Sequence, residues 1–448
     1  MSDTIENQIR LGLRLVADDV QPPARTRAPL GRPLRVVAFA VALAAVLAGV
    51  LLGIVSRGQG PSARFVTDRF DYRPGGGSAG GAAGKLLPYS VDCCSALAAS
   101  SATDAWTVGW GVSWHWDGSA WRSVPLPALR GEVDLSSVTA VDDGEAWAVG
   151  AQGDPRNDRV VHALVEHWDG SRWTVVHLPR TGVSSLFSVS ASGPDDVWAV
   201  GMSFRRDARG KFSERLTRDL LLHWDGSAWS VVAVPWTLRP VDGPRVVTTG
   251  PDDVWVWGVA GEQVEHWDGA SWEAVPAPFG PHDPMWGFSA TSSDDAWAVG
   301  SYLHGRRSRT LAAHWDGQSW QIAPTPNPGS TDSGLNDVVS LGPDDVWAIG
   351  QSRRYGKLPL ALFEHWDGRS WQITPGATPE ILDGMPSLAA TQDGTAWAMG
   401  SCEIDTFLVR WSGSAWTMAK HPRDQRWDSR VPRRIRRLGF GHCHAFRG

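Results

Sequence analysis

Cysteine is scarce in this 448-residue chain, with four residues at Cys93, Cys94, Cys402 and Cys443. No CxxC pair with partnered histidines exists, which argues against a zinc site. Between residues 92 and 419 no apolar spacing of helical period appears, so that stretch is not built from helices. Nothing matches a nucleophile elbow, a phosphate loop or a metal-protease helix, and no catalytic, metal or cofactor residue is assigned. Basic charge is missing where a nucleic-acid binder needs it. The formal net charge is −6. Residues 1–57 contribute +3, 58–89 contribute +2 and 420–448 contribute +7, which leaves −18 on 90–419. So acidic a segment is a poor partner for a phosphate backbone, and no nucleic acid is expected.

Tryptophan is what the chain has in excess, with 27 residues. Most fall into three columns repeated seven times. The first lies in phrases such as Asp-Val-Trp-Ala-Val-Gly: Trp106, Trp147, Trp198, Trp255, Trp297, Trp347 and Trp397. The other two flank an Asp-Gly pair in His-Trp-Asp-Gly-Ser-x-Trp. They are Trp116/Trp121, Trp168/Trp173, Trp224/Trp229, Trp267/Trp272, Trp315/Trp320, Trp366/Trp371 and Trp411/Trp416. The second column recurs every 43 to 56 residues, a period that fixes architecture before single residues are interpreted.

One unit, Leu135 to Pro179, holds four short runs rich in β-branched and aromatic residues, separated by turn residues. Asp169-Gly170 between two such runs is a hairpin signal, because both residues tolerate positive φ. Four strands per unit and seven units predict an all-β fold, a seven-bladed β-propeller of four-stranded antiparallel blades over residues 92–419. The expected core is the first column together with Trp121, Trp173, Trp229, Trp272, Trp320, Trp371 and Trp416, each burying roughly 150–250 Å². Trp110, Trp114, Trp236, Trp257, Trp286 and Trp427 lie outside the columns and are candidates for exposed stacking surfaces. Each unit runs in phase, so no swapped strand is expected to close the ring.

Trp-Ala-Val-Gly followed by aromatic-Asp and a Trp resembles a kelch repeat. Gly150, Gly201, Gly258, Gly300, Gly350 and Gly400 stand for the first of the paired kelch glycines. The second is replaced by Ala151, Met202, Val259, Ser301, Gln351 and Ser401. The resemblance covers about residues 92–419 and implies kelch-like blades, as in the central domain of galactose oxidase, without implying an activity. Tyr72, Tyr89, Tyr302 and Tyr355 offer no ligand set for the copper chemistry of such oxidases.

Residues 36–55 are uncharged and mostly apolar, enough for one bilayer crossing. Arg25, Arg27, Arg32 and Arg35 precede them and favour a cytoplasmic N-terminus. The expected organisation is a cytoplasmic segment 1–33, a transmembrane helix 34–56, a Gly/Ala/Pro-rich linker 57–91 and an extracytoplasmic propeller, in a single-pass cell-membrane protein. A cleaved signal peptide is the alternative, for which the apolar run is long. The linker gives an r.m.s. reach of roughly 30 Å. Residues 420–448 match no repeat; a disordered polyanion-attracting extension and a segment foreign to the protein both fit their composition. An oxidising exterior permits disulfides. Cys402 in the last blade is expected to pair with Cys94 or Cys93 at the start of the first, with free thiols as the alternative.

His115, His167, His223, His266, His314 and His365 each precede the hairpin Trp. On separate blades they cannot converge on one metal, so structural hydrogen bonding is expected. The doubled aspartates (Asp195-Asp196, Asp252-Asp253, Asp294-Asp295, Asp344-Asp345) read as turn formers. The hairpin face of the ring should be acidic and regular. The opposite face, built from the loops between second and third strands, gathers Arg205, Arg206, Arg209, Lys211, Arg215 and Arg218. It also gathers Arg306, Arg307 and Arg309, then Arg353, Arg354 and Lys357. Asp134, Asp242, Asp283, Asp332 and Asp383 are interspersed. These arginines are the candidate ligand face.

Three functions follow. The first is a non-catalytic binding module for a protein, glycan or anionic envelope polymer. The second is a glycan-active hydrolase or lyase, and the third a transmembrane sensor relaying through residues 1–33.

Overall fold

The computed structural model describes residues 96–419, apart from 142–143, 155–156, 206–217, 236–243, 259–262, 278, 281–282, 329–330, 378, 380–382 and 403–404. The N-terminal unit 1–81 falls outside them, with the expected transmembrane helix 34–56, the linker 57–91, Cys93, Cys94 and the tail 420–448. The expected disulfide therefore lies outside the described residues. Among these residues no helix is long and apolar enough to cross a membrane.

Asp-Gly turns set the outer hairpin of six of the seven blades, and Ser412-Gly413 takes their place in the last. In the first, Asp117 Oδ1 accepts the backbone N–H groups of Ser119 and Ala120, both at 2.9 Å, and Gly118 takes φ 86°. Hydrogen bonds from the Ser119 hydroxyl, from Arg122 and from those amides hold the Asp117 carboxyl well below its ordinary pKa. The same turn recurs at Asp169, Asp225, Asp268, Asp316 and Asp367. Such a turn fixes the register of the two strands it joins, which is why Trp116 pairs with Trp121 and Trp168 with Trp173.

Seven sheets follow one another over 96–123, 133–175, 184–232, 245–276, 285–323, 333–373 and 383–418, taken as blades one to seven. Each contains four consecutive antiparallel strands in first-to-fourth order, with no exchange of strands between sheets. The first strands, Ala96–Ser101, Val133–Val141, Ser184–Gly193, Arg245–Gly250, Met285–Ser292, Ser333–Gly342 and Asp383–Ala390, each touch the next. The last touches the first, so they ring a central axis and the propeller closes.

Alternation along a strand sends successive side chains to opposite faces, one per neighbouring blade. The first-column Trp thereby enters the seam with the following blade and meets its hairpin Trp pair. Trp106 lies 4.9 Å from Trp168 and 5.2 Å from Trp173, and Trp297 lies 5.1 Å from Trp366 and 5.4 Å from Trp371. Every first-column Trp is at most 6 % exposed. Trp121, Trp173, Trp229, Trp371 and Trp416 are buried as well, whereas Trp272 and Trp320 are half-buried. Burying about 200 Å² of indole contributes roughly 5 kcal/mol in area terms, an upper value.

The closing seam uses the same contacts as the rest. Trp397 of blade seven lies 5.0 Å from Trp116 and 5.4 Å from Trp121 of blade one. Arg410 replaces the repeat histidine there and sits over the Trp116 and Trp397 rings at 5.5 and 5.1 Å. The Ala102 N–H donates to Asp393 Oδ2 at 2.8 Å, and the Thr107 hydroxyl to Met399 Sδ at 3.3 Å.

The glycine after Trp-Ala-Val, or Trp-Ala-Ile in blade six, answers to packing. A Cβ at Gly150 would stand 1.9 Å from the Asp134 carbonyl oxygen, and one at Gly350 2.0 Å from that of Gly334. A bulge in the first strand, between Leu135 and Ser137 and between Leu335 and Asp337, lies at this point of these two sheets.

The expectation of exposed stacking by the extra tryptophans is corrected for the four that are described. Trp257 is buried against Phe288 at 4.8 Å, and Trp110, Trp114 and Trp286 are half-buried. Trp286 lies over Gly334, where a Cβ would be 2.8 Å from its ring. Trp236 and Trp427 fall outside the described residues. Trp114, Trp257 and Trp286 thus pack in the seams between blades.

Candidate functional site

The two faces differ in chemistry. On the hairpin face, each repeat histidine stacks on its own first-column Trp and donates Nε2–H to an acid at the start of the second strand. His115 stacks on Trp106 at 4.2 Å and bonds Asp104 at 2.6 Å; His314 bonds Asp295 at 2.7 Å; His167 bonds Glu145 at 3.1 Å. An ionised carboxylate only accepts, so the proton sits on Nε2. The Ser100 hydroxyl adds a bond to Asp104 at 2.5 Å, and Ser192, Thr249 and Thr291 do the same for Asp196, Asp253 and Asp295. Burial pushes Asp104, Asp196 and Asp295 up, but the hydrogen bonds from histidine and hydroxyl outweigh it and their pKa values fall below the ordinary range. The second aspartate of each doublet is thus a histidine partner rather than a mere turn former. These clusters brace single blades, and among the described residues no group of His, Cys, Asp and Glu is arranged to hold a metal.

Arginine gathers on the opposite, loop face. In blade five the second strand, Asp295–His304, and third strand, Arg307–Trp315, pair to their ends, Tyr302 with Arg309 and His304 with Arg307. They close through Gly305 at φ 67°, which carries Arg306 and Arg307 into solvent. In blade six, Arg353 to Pro359 link the second strand to the third, turning at Gly356 with φ 68°.

Asp332 fastens the two loops together. Its Oδ1 accepts the Ser308 N–H at 3.1 Å and its carbonyl accepts the Arg353 N–H at 2.7 Å. Thr331 closes the arrangement with its hydroxyl on the Arg353 carbonyl at 3.0 Å. Arg306, Arg307, Arg309, Arg353, Arg354 and Lys357 therefore share one rim. Large apolar side chains stand among them: Leu303 is 65 %, Tyr355 90 % and Leu358 45 % exposed. Beside the hairpin a cleft of about 490 Å³ opens between Phe279, Asp283, Tyr302, Ile322 and Thr325. The structure does not bring Arg205 to this rim; it is exposed on blade three, two blades away. Arg206 and Arg209 lie outside the described residues.

No protein-family model matches the sequence, and no curated protein matches it either. Solved structures do. A streptogramin B lyase shares 11 % identity over 75 % of this chain and 96 % of its own, with a TM-score of 0.47. YCF48 from Cyanidioschyzon merolae shares 13 % over 73 % and 97 %, at 0.43. A GH74 xyloglucanase from Xanthomonas campestris shares 17 % over 72 % and 54 %, at 0.46. Likeness of this degree transfers no activity, and the blade count rests on the strand pairing above.

Buried acids escaped the sequence reading. Glu166 and Glu364 are fully buried and Glu265 is nearly so, at matching third-strand positions in blades two, four and six. No protein donor meets either oxygen of Glu166 or Glu364. Burial alone pushes Glu166 up to about 7 and Glu364 up to about 8. The signal was the triplet Glu-His-Trp, a charge set in an apolar strand face. Burial likewise pushes the half-buried Asp134, on the loop face, up to about 6.

Asp337 is half-buried on the first strand of blade six. Its oxygens accept the N–H groups of Leu388 at 2.8 Å and Val338 at 3.0 Å, capping the inner strand of blade seven as Ser137 caps Val189 at 3.2 Å. Burial raises its pKa to about 6 against the opposing pull of Arg245 and those amides.

Proposed function

We propose that the protein is a membrane-tethered, extracytoplasmic propeller that binds without catalysis, meeting an anionic protein, glycan or envelope polymer through the rim of blades five and six. The observation that carries the reading is Asp332, which locks two arginine-bearing loops from different blades into one surface. Irregular loops on a rigid scaffold are where recognition concentrates. Exposed apolar residues beside arginine add contact area that a merely solvated charge run lacks. Residues 36–55 and the arginines before them support the tether. The recurring Trp-Ala-Val-Gly and aromatic-Asp phrases support kelch-like blades.

A hydrolase or lyase would draw on paired carboxylates at the axis. Asp337 does not serve, because both its oxygens are committed to backbone amides.

The test is a binding array of acidic glycans, polyphosphate and acidic proteins, probed with the full-length chain and with an Arg306→Glu/Arg307→Glu/Arg353→Glu variant. Retention of anionic probes by the wild type and their loss in the variant is the expected result. Equal retention would remove the rim from the account.

A further inference from the structure

We infer that the rim of blades five and six docks on the anionic bilayer surface from which the tether emerges, with Leu303, Tyr355 and Leu358 entering the headgroup region between arginines. The inference rests on reading the rim as anion-directed, and it names the anion as a lipid headgroup.

Chain direction is the first support. Ala96 pairs with Val108, near the end of the second strand, so blade one begins on the loop face. The chain therefore enters the propeller at Ala96 on the same face as the rim. The fourth strand of blade seven leaves the hairpin at Trp416 and runs toward the loop face at Met418. The chain therefore also leaves the propeller on that face, ahead of a sequence 420–448 with nine basic and two acidic side chains.

Charge is the second. The hairpin face carries Asp117, Asp169, Asp225, Asp268, Asp316 and Asp367 on exposed turns, and an anionic surface repels it. The loop rim of blades five and six is basic. A tethered body with an acidic hairpin face and a basic rim on blades five and six turns that rim to an anionic leaflet.

Side-chain type is the third. Tyr355 is amphipathic, Leu303 and Leu358 are apolar, and Arg306, Arg307, Arg353, Arg354 and Lys357 surround them. That is the composition of an interfacial contact, in which apolar tips enter the headgroup layer and cations meet phosphates. A protein partner would use the same residues, but neither the shared face of the chain ends nor the charge polarity would then be explained.

The experiment is hydrogen–deuterium exchange of the full-length chain with nanodiscs of phosphatidylcholine, alone or mixed with phosphatidylglycerol. Peptides covering 302–309 and 352–358 report the rim, and peptides covering 224–229 report the hairpin face. The rim should exchange about tenfold more slowly only with phosphatidylglycerol present, and salt should reverse the effect. Arg306→Glu with Arg353→Glu should abolish the protection, at about fivefold or more in affinity per side chain. Leu303→Ser with Tyr355→Ser should weaken it and leave the salt dependence. Unchanged hairpin-face exchange verifies that each variant is folded. Protection by soluble polyphosphate but not by phosphatidylglycerol would overturn the bilayer assignment and leave the anion-directed rim intact. Protection by neither would overturn both.

Discussion

Glu364 is mostly protonated inside the folded ring at neutral pH. Its folded pKa of about 8 lies above the ordinary value of 4.5, because burial disfavours the carboxylate. The folded state thus keeps a proton that the unfolded chain releases, and stability falls as pH rises from the ordinary value through the folded one. Urea unfolding of Glu364→Gln should lose less stability than wild type between about pH 5 and about pH 8, by roughly 2–4 kcal/mol. Parallel pH curves would contradict this. The histidine-bonded Asp104, Asp196 and Asp295 act with the opposite sign. Their stabilisation is present above the ordinary carboxylate range and is lost in acid. Asp196 and Asp295 announce themselves through the doublet Asp-Asp and a downstream His. Glu364 gives only the weaker signal of the triplet Glu-His-Trp, because Leu222, Ala313 and Val409 hold the same position in other blades and the strand reads as apolar.

At the scale of single elements, the outer hairpins were legible because Asp-Gly chemistry is local and sets register without help from the fold. The first-strand bulge was not legible, yet it dictates the glycine after Trp-Ala-Val or Trp-Ala-Ile. Gly350→Ala should destabilise the protein by about 2 kcal/mol or more, since a methyl group would overlap the Gly334 carbonyl. Thermal unfolding reads this directly, and an unchanged midpoint would show that the inner strand yields. The rim was only half visible: the arginines stand out in the sequence, but their convergence depends on which blades are neighbours and on Asp332 between them. Asp332→Ala removes the bond to the Ser308 amide and should speed exchange at that amide several-fold without moving the global midpoint, because the loop is exposed. Exchange equal to wild type would mean that Asp332 does not hold the loops together.

The whole molecule is a ring of repeating seams, and its blade number was readable because indole recurs wherever two sheets splay. How the ring closes was not readable: Trp397 and Arg410 meet Trp116 across the full length of the repeat. An open arc would leave Trp397 at a free edge, with little to lose on truncation. A closed ring makes its seam equivalent to an interior one such as Trp297 against Trp371. The decisive measurement is therefore urea unfolding of Trp397→Ala beside Trp297→Ala. Closure predicts similar losses of about 3–5 kcal/mol for both. A large loss at Trp297 with almost none at Trp397 would contradict the closed propeller.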